Sequence, residues 1–485
     1  MKTQSKTNKV VNNFYITTTL PYVNAEPHIG FAMEITRADI IARYKKLRGF
    51  NVFFNTGTDE HGLKVYRKAL EIGQDPQEYV DGYAEKYKDL GRILGLSEGI
   101  NFIRTTDESH KNSAREFWKA CDKNGYIYKK NYKIKYCVGC ELEKTESELE
   151  NGCCPLHPNQ ELEIIEEENY FFAFSKFQKP LLKLYENNPD FVIPSSRLHE
   201  VKAFVQSRLE DFSISRLKSK LPWGVAVPNN NEHIMYVWFD ALVNYISAIG
   251  WPNDMDKFNK WWPVTQYCGK DNLRQQAAMW QAMLFAAGLP TSRQIIVNGF
   301  ITSGGQKMSK SSGNVISPAS IVSEYGADAL RYYLARELNP FEDSDFTIGK
   351  FKEAYNANLA NGLGNLTSRI MKMSETYLEK PICAETSFEF PKEFTKYLDE
   401  FELNKAMDFV WRKIGEADSY IQKNQPFKVA KEDKAEGERM IKYLVGELNA
   451  VADPLQIFMP NTSENIKKAI RENKMPEKAL FPRKD

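Results

Sequence analysis

Apolar and polar positions over roughly the first 120 residues switch between a strand-like and a helix-like rhythm. Phe14-Tyr15-Ile16-Thr17-Thr18-Thr19 is a β-branched and aromatic run that suits a buried strand. A loop with Pro21, Asn24 and Pro27 follows, and apolar residues then recur at Ile29, Ile35, Ile40 and Tyr44, the spacing of a helix. Gly49 breaks that pattern. Val52-Phe53-Phe54 then opens a second strand, which ends at Gly57-Thr58-Asp59. Strand, helix and strand in this order predict a βαβ unit with a right-handed crossover. Ligands of such folds bind beyond the carboxyl ends of the strands.

From about Asn124 to Glu168 the pattern changes to lysine-rich, then cysteine-rich, then acidic, with no sustained period, which reads as an inserted module. Strand-like runs resume at Ile234-Met235-Tyr236-Val237-Trp238-Phe239, Thr265-Gln266-Tyr267-Cys268 and Gln294-Ile295-Ile296-Val297. Beyond about Lys350 the spacing is that of amphipathic helices, as in Leu359, Leu363 and Leu366 or Met440, Leu444 and Leu448. The expected fold is α/β: a split, Rossmann-like, doubly wound parallel sheet with a small insert and a C-terminal all-α bundle. Expected boundaries are 1–123 and 231–300 for the halves of the sheet domain, 124–230 for the insert, 301–350 for a lysine loop and junction, and 351–485 for the bundle.

Composition narrows this little. At 485 residues the chain exceeds one ordinary core. A net charge of +1 gives no global basic character, so any nucleic-acid contact must use local patches. The N-terminal stretch has no apolar core of signal-peptide length, and apolar runs such as Ala282 to Leu289 fall far short of the ~20 residues that span a bilayer. A cytoplasmic protein without membrane contact is expected, and its seven cysteines should be reduced. Cys137-Val138-Gly139-Cys140 and Cys154-Pro155-Leu156-His157 form a C-x2-C-x13-C-x2-H pattern suited to one tetrahedral structural zinc. Cys153 competes for the third place, and Cys154 is preferred for its spacing to His157. Cys121, Cys268 and Cys383 are isolated and read as core residues.

Two short motifs carry the candidate chemistry. In Pro27-His28-Ile29-Gly30 a loop becomes a helix, so free backbone N–H groups and the helix dipole favour a phosphate. Gly30 leaves room for a nucleotide, and His28 can donate to a phosphoryl oxygen. Lys307-Met308-Ser309-Lys310-Ser311 lies between glycines, and its two lysines can close on a polyphosphate and neutralise charge on leaving pyrophosphate. Taken singly, a capping histidine and a solvated basic loop are the ordinary readings; together, and in this order, the motifs describe one ATP site.

Around these motifs the chain resembles the class I aminoacyl-tRNA synthetases, and within them the methionyl-tRNA synthetase family. The resemblance runs over nearly the full length. It is carried by Leu20-Pro21-Tyr22-Val23-Asn24-Ala25, Gly57-Thr58-Asp59-Glu60-His61-Gly62, Tyr236-Val237-Trp238-Phe239-Asp240-Ala241-Leu242, Gly269-Lys270-Asp271 and Gly362-Leu363-Gly364-Asn365-Leu366. It implies that L-methionine attacks the α-phosphorus of ATP, with magnesium on the phosphates, and that the methionyl group then passes to the 3′ end of tRNA(Met). The first nucleophile is already ionised, so alignment and charge stabilisation suffice. His28, Gly30, Gly269, Asp271, Lys307 and Lys310 are the implied ATP residues, with Asp271 on the ribose. Asp59 is implied to hold the substrate ammonium, and Leu20, Tyr22, Trp238, Ala241 and Tyr245 to wall the thioether.

Asn365 and Arg369, four apart on one helix face, match the family's anticodon pair, and Phe427 falls where the family usually stacks a tryptophan. No appended oligonucleotide-binding domain follows, so a monomer is expected. Two departures stand out: Phe31 replaces the family's histidine after Gly30, and Gln276 replaces a pocket histidine while keeping a hydrogen-bond donor for the ligand. A synthetase for another amino acid and a non-catalytic tRNA-binding paralogue are the competing readings. The short zinc-type insert disfavours the first, and intact lysines, Asp59 and Asp271 disfavour the second.

Overall fold

The structure is a computed structural model that describes residues 12–144, 148–307, 316–382 and 389–484. The chain divides into two compact units. One holds Met1–Pro27, Lys45–Asp89 and Glu98–Asn298; the other holds His28–Tyr44, Leu90–Ser97 and Gly299–Asp485.

The first unit is built on six parallel strands. In chain order β1 (Asn13–Thr17), β2 (Asn51–Thr58) and β3 (Asn101–Arg104) form one half. Val192–Ile193, Val264–Gly269 and Gln294–Asn298 form the other, and Val264–Gly269 pairs with β1. Strand order therefore reverses between β1 and Val264–Gly269, the point at which such sheets open a crevice at their carboxyl ends. Both strands are almost wholly buried, as expected when both faces of a parallel sheet are covered. The edge strand Val192–Ile193 was not foreseen, because two residues carry no period.

The stretch Ile234 to Phe239 departs from its expected strand. Asn230–Met235 is a strand, but in a separate three-stranded antiparallel sheet, and Val237–Ala241 is a short helix. The backbone turns at Tyr236, so the aromatic run is split: Phe239 enters the core at 0% exposure while Trp238 stays half-buried.

The insert has its own antiparallel sheet, dominated by β4 (Ile127–Cys137) against β5 (Glu163–Phe172). Its lysines and glutamates face one another across the ladder, as in Lys129–Glu168 at 2.8 Å and Lys133–Glu166 at 2.8 Å. The lysine-rich and acidic tracts are thus two halves of one pairing.

In the second unit α1 (Ile29–Leu47, whose last turn belongs to the first unit) is buried around most of its circumference, including Arg37 at 1% and Asp39 at 0% exposure. Arg37 spends its guanidinium on the carbonyls of Leu334, Leu338, Asn339 and Pro340 at 3.1–3.2 Å. The helices Asn365–Tyr377, Leu403–Asn424, Lys434–Phe458 and Pro460–Glu472 form the C-terminal bundle, with Phe394 packed against Phe409 and Phe458. No strand follows Ser344–Asp345 among the described residues.

Candidate functional site

The loops after β1 and β2 run side by side at the carboxyl edge of the sheet. Asp59 N–H donates to Pro21 O at 3.0 Å, Val23 N–H donates to Asp59 O at 3.3 Å, and Tyr22 pairs with Asp59 as a parallel bridge. Tyr22 stands edge-on to Trp238, with ring centroids 6.2 Å apart. Three buried polar atoms in this group have no hydrogen-bond partner: Tyr22 Oη, Asp59 Oδ1 and Trp238 Nε1. Burial, then the carboxylates of Asp240 and Glu141, push the Asp59 carboxyl well above the ordinary carboxylate range. The backbone N–H of His61 bonds this carboxyl but does not offset the rise, and a buried oxygen left open is costly, so the arrangement favours a cationic group beside it.

The residues around Asp59 are fully engaged. Glu60, at 0% exposure, takes Arg104 Nε at 2.7 Å and Nη2 at 2.9 Å, Thr58 Oγ1 at 2.6 Å, and Thr106 Oγ1. Trp223 Nε1 donates to Glu60 O at 2.6 Å. His61 Nδ1 lies 2.5 Å from Asp240 Oδ2. Sequence reasoning gave no role to Glu60, His61 or Asp240, although all three lie inside stretches it singled out.

Ala241 shares the short helix of Trp238, and its carbonyl accepts from Asn244 Nδ2 at 2.7 Å. Tyr245 is fully buried, edge-on to Trp280 at 5.8 Å, and its hydroxyl accepts from Gln276 Nε2 at 2.8 Å. Gln276 lies on the π-helical turn Gln275–Met279. Its Oε1 accepts from Gln266 at 2.7 Å, Gln266 accepts from Ser292 at 2.5 Å, and Gln281 Nε2 donates to Gln276 O at 2.8 Å. The amide that departs from the family's histidine is thus anchored in a buried polar ladder behind Tyr245. Leu20 is half-buried beside Pro21. Asp271 is exposed in the 3₁₀ turn Lys270–Asn272, directly after Val264–Gly269 and at the same carboxyl edge. A Cβ on Gly269 would stand 2.7 Å from Asp271 Oδ1.

In the second unit His28 is exposed immediately before α1, and its Nδ1 accepts from Gly30 N–H at 3.1 Å. Desolvation lowers the His28 pKa, and the neutral imidazole in that bond carries its proton on Nε2. A Cβ on Gly30 would approach His28 Cε1 at 2.9 Å and Nδ1 at 3.0 Å, so the glycine is what lets the imidazole fold back. Phe31, directly after Gly30, is buried at 8% exposure. Ile29 N–H donates to Ile316 O at 3.2 Å, joining the start of α1 to the segment after the lysine loop. Lys310 lies outside the described residues, and Lys307 is described through its backbone, which pairs with Thr302.

The knuckle residues converge. Ligand atoms of Cys137, Cys140, Cys154 and His157 all lie within 4.8 Å of one another, with Cys140 Sγ 3.5 Å from Cys154 Sγ and 3.2 Å from His157 Nδ1. Cys153 is outside this group. A Cβ on Gly139 would stand 2.5 Å from the His157 ring, so the turn needs a glycine. Three sulfurs and an imidazole with no open position suit a closed, tetrahedral metal site. Cys121 and Cys268 are buried and lie outside the group, whereas Cys383 is outside the described residues.

On the bundle, Asn365 is exposed at the first turn of Asn365–Tyr377, Arg369 pairs with Asp418, and Phe427 is 39% exposed. No helix among the described residues is long and apolar enough to cross a membrane.

Comparison with known proteins agrees with this geometry. The family model described as tRNA synthetases class I (M) matches residues 14–161 and 143–371. A methionine–tRNA ligase of Thermotoga maritima is 41% identical over 96% of this chain and 76% of its own length. One from Nostoc sp. is 40% identical over 95% and 90%. The solved structure of Mycobacterium tuberculosis methionyl-tRNA synthetase in complex with methionyl-adenylate superposes with a TM-score of 0.88 at 31% identity, covering 98% of both chains. With class I features at the carboxyl edge of its sheet and such relatives along nearly its whole length, the chain belongs to the methionine–tRNA ligase family of class I tRNA synthetases.

Proposed function

We propose that this chain activates L-methionine with ATP and transfers the methionyl group to tRNA(Met), using the residues described above in separate roles. The observation that carries the reading is the group of unpartnered buried atoms on Tyr22, Asp59 and Trp238. Asp59 holds the ammonium by a charge-assisted hydrogen bond, which leaves the carboxylate free to attack the α-phosphorus. Leu20, Tyr22, Trp238, Ala241 and Tyr245 enclose the thioether, with Gln276 bonded to Tyr245. Gly269 and Asp271 receive the ribose. His28 Nε2–H, room at Gly30, Lys307 and Lys310 take up charge as pyrophosphate leaves, and magnesium accompanies the ATP phosphates. No general base is needed.

Cys137, Cys140, Cys154 and His157 hold one structural zinc, which fixes the turns of the insert. Residues 124–230, apart from the edge strand Val192–Ile193 that joins the parallel sheet, act as the connective insert between the halves of the sheet domain, 1–123 and 231–300; 301–350 serve as loop and junction. The bundle, 351–485, reads the CAU anticodon through Asn365, Arg369 and Phe427. Work on tRNA gives the protein a cytoplasmic setting.

Asp59→Asn and Lys310→Ala test the roles separately in ATP–pyrophosphate exchange. The first should raise KM for methionine and leave KM for ATP unchanged. The second should lower the adenylation rate, and an unchanged rate would refute its role on pyrophosphate.

A further inference from the structure

Behind the methionine pocket lies a cluster that none of the assigned roles uses. Asp240, 1% exposed, presents Oδ2 to His61 Nδ1 at 2.5 Å and Oδ1 to His110 Nε2 at 2.8 Å. His61 and His110 are 3% and 0% exposed, and His110 Nδ1 continues to Ser247 Oγ at 2.9 Å. A carboxylate only accepts, so both imidazoles donate to it. Three buried titratable side chains therefore form one closed hydrogen-bonded unit.

Its placement is the informative part. Asp240 sits on the short helix Val237–Ala241, two residues after Trp238 and next to Ala241. His61 sits two residues after Asp59, on the loop that follows β2. The ring of His61 meets Trp223 edge-on at 5.7 Å, and Trp223 in turn holds the carbonyl of Glu60. His110 lies on the helix Glu108–Lys123, whose Phe117 and Trp118 pack against Phe239. Every side chain from Glu60 to His61, and Asp240 across from them, is tied to a buried partner, while Asp59 Oδ1 and Trp238 Nε1 are left open.

We propose that Asp240, gripped by His61 and His110, is a positioning residue for methionine: it fixes the short helix of Trp238 and Ala241 against the Asp59 loop. The ammonium end and the thioether end of the substrate are then received at a set separation. Replacing buried charged groups with well-packed apolar residues of similar volume is often neutral or stabilising, so stability alone is a weak reason for a buried triad. Orientation does, because misplacement by about 1 Å is enough to cost roughly 100-fold in such sites. The cluster also sets charge. Asp240 is held down to about pKa 2, burial notwithstanding, by His61 and His110, and after burial its charge does most to raise the Asp59 carboxyl.

The inference rests on Asp59 and Trp238 lining the methionine site, so the experiment includes Asp59→Asn as its reference. Asp240→Asn, His61→Gln and His110→Gln are compared in the full chain by pyrophosphate exchange, with active sites counted by the adenylate burst and folding followed by Tm. The expected result is KM for methionine raised ~10-fold or more by Asp240→Asn and His61→Gln, KM for ATP within about 2-fold, and weaker discrimination between methionine and norleucine. His110→Gln, whose amide can place a donor where Nε2 meets Asp240, should retain most of the methionine affinity. If Asp240→Asn folds poorly, His61→Gln alone decides the matter. A lower active fraction or Tm with unchanged KM for methionine would reduce the cluster to a stabilising one and overturn the proposal. If Asp59→Asn itself leaves KM for methionine unchanged, the pocket assignment fails instead.

Discussion

Arg331 and Asp39 form an ion pair at 2.8 Å with neither side chain exposed. The pair ties α1, the helix that begins next to His28, to the end of the bundle's longest helix, because Arg331 Nε also donates to Phe458 O at 2.7 Å. Asp39 further accepts from Arg43 at 2.7 Å and from Ser97 N–H at 2.9 Å. Burial raises the Asp39 carboxyl, but Arg331, Arg43 and the Ser97 contact outweigh it and hold it below the ordinary value. Burial also pulls Arg331 down against the pull of Asp39. With three contacts on the carboxylate, the pair is ionised.

Removing one partner strands the other. Asp39→Ala should destabilise the protein by about 3–5 kcal/mol, because an uncompensated guanidinium remains buried. Urea unfolding at neutral pH measures this. Since the folded carboxyl lies below its unfolded value of about 4, the contribution is complete above that pH and is lost as pH falls through the lower, folded value. The wild-type chain should therefore lose stability in acid more steeply than Asp39→Asn.

Methionine binding should release protons. The raised Asp59 carboxyl meets a cation when the ammonium binds, which pulls its pKa down. Affinity should then rise with pH through a titration that lies above the usual carboxylate range near 4. Calorimetry in two buffers of different ionisation enthalpy measures the proton count. Proton uptake would contradict the assignment of Asp59.

Gln276 should act through Tyr245. The two side chains are bonded at 2.8 Å, so Gln276→Ala and Tyr245→Phe remove the same interaction. Each should weaken methionine binding by about 1–3 kcal/mol. The double variant should cost little more than either single one, and strict additivity would contradict the link.

Much of this was legible locally. The βαβ start, the Gly49 break and the knuckle are short-range patterns, and the structure returns β1, α1, β2 and the four converging ligands. The run from Ile234 to Phe239 misled because a β-branched and aromatic composition does not reveal a turn at Tyr236. Arg37 and Asp39 were hidden because charges in a helical pattern ordinarily face solvent, whereas α1 is buried nearly all round. His110 gave no signal at all: its partner Asp240 is 130 residues away, and nothing local marks a histidine that the tertiary fold brings to a carboxylate.

The knuckle has a stoichiometric prediction. Purified protein should carry one zinc per chain, and Cys154→Ser should lose it while Cys153→Ser keeps it. Elemental analysis of the variants measures both. Equal loss from Cys153→Ser would move the third thiolate to that residue.

The central claim is that this pocket selects methionine, and ATP–pyrophosphate exchange with each of the twenty amino acids in turn tests it most directly. Exchange should be maximal with methionine and should collapse at low methionine concentration in Asp59→Asn. Maximal exchange with any other amino acid, or none with methionine above background, would contradict the account.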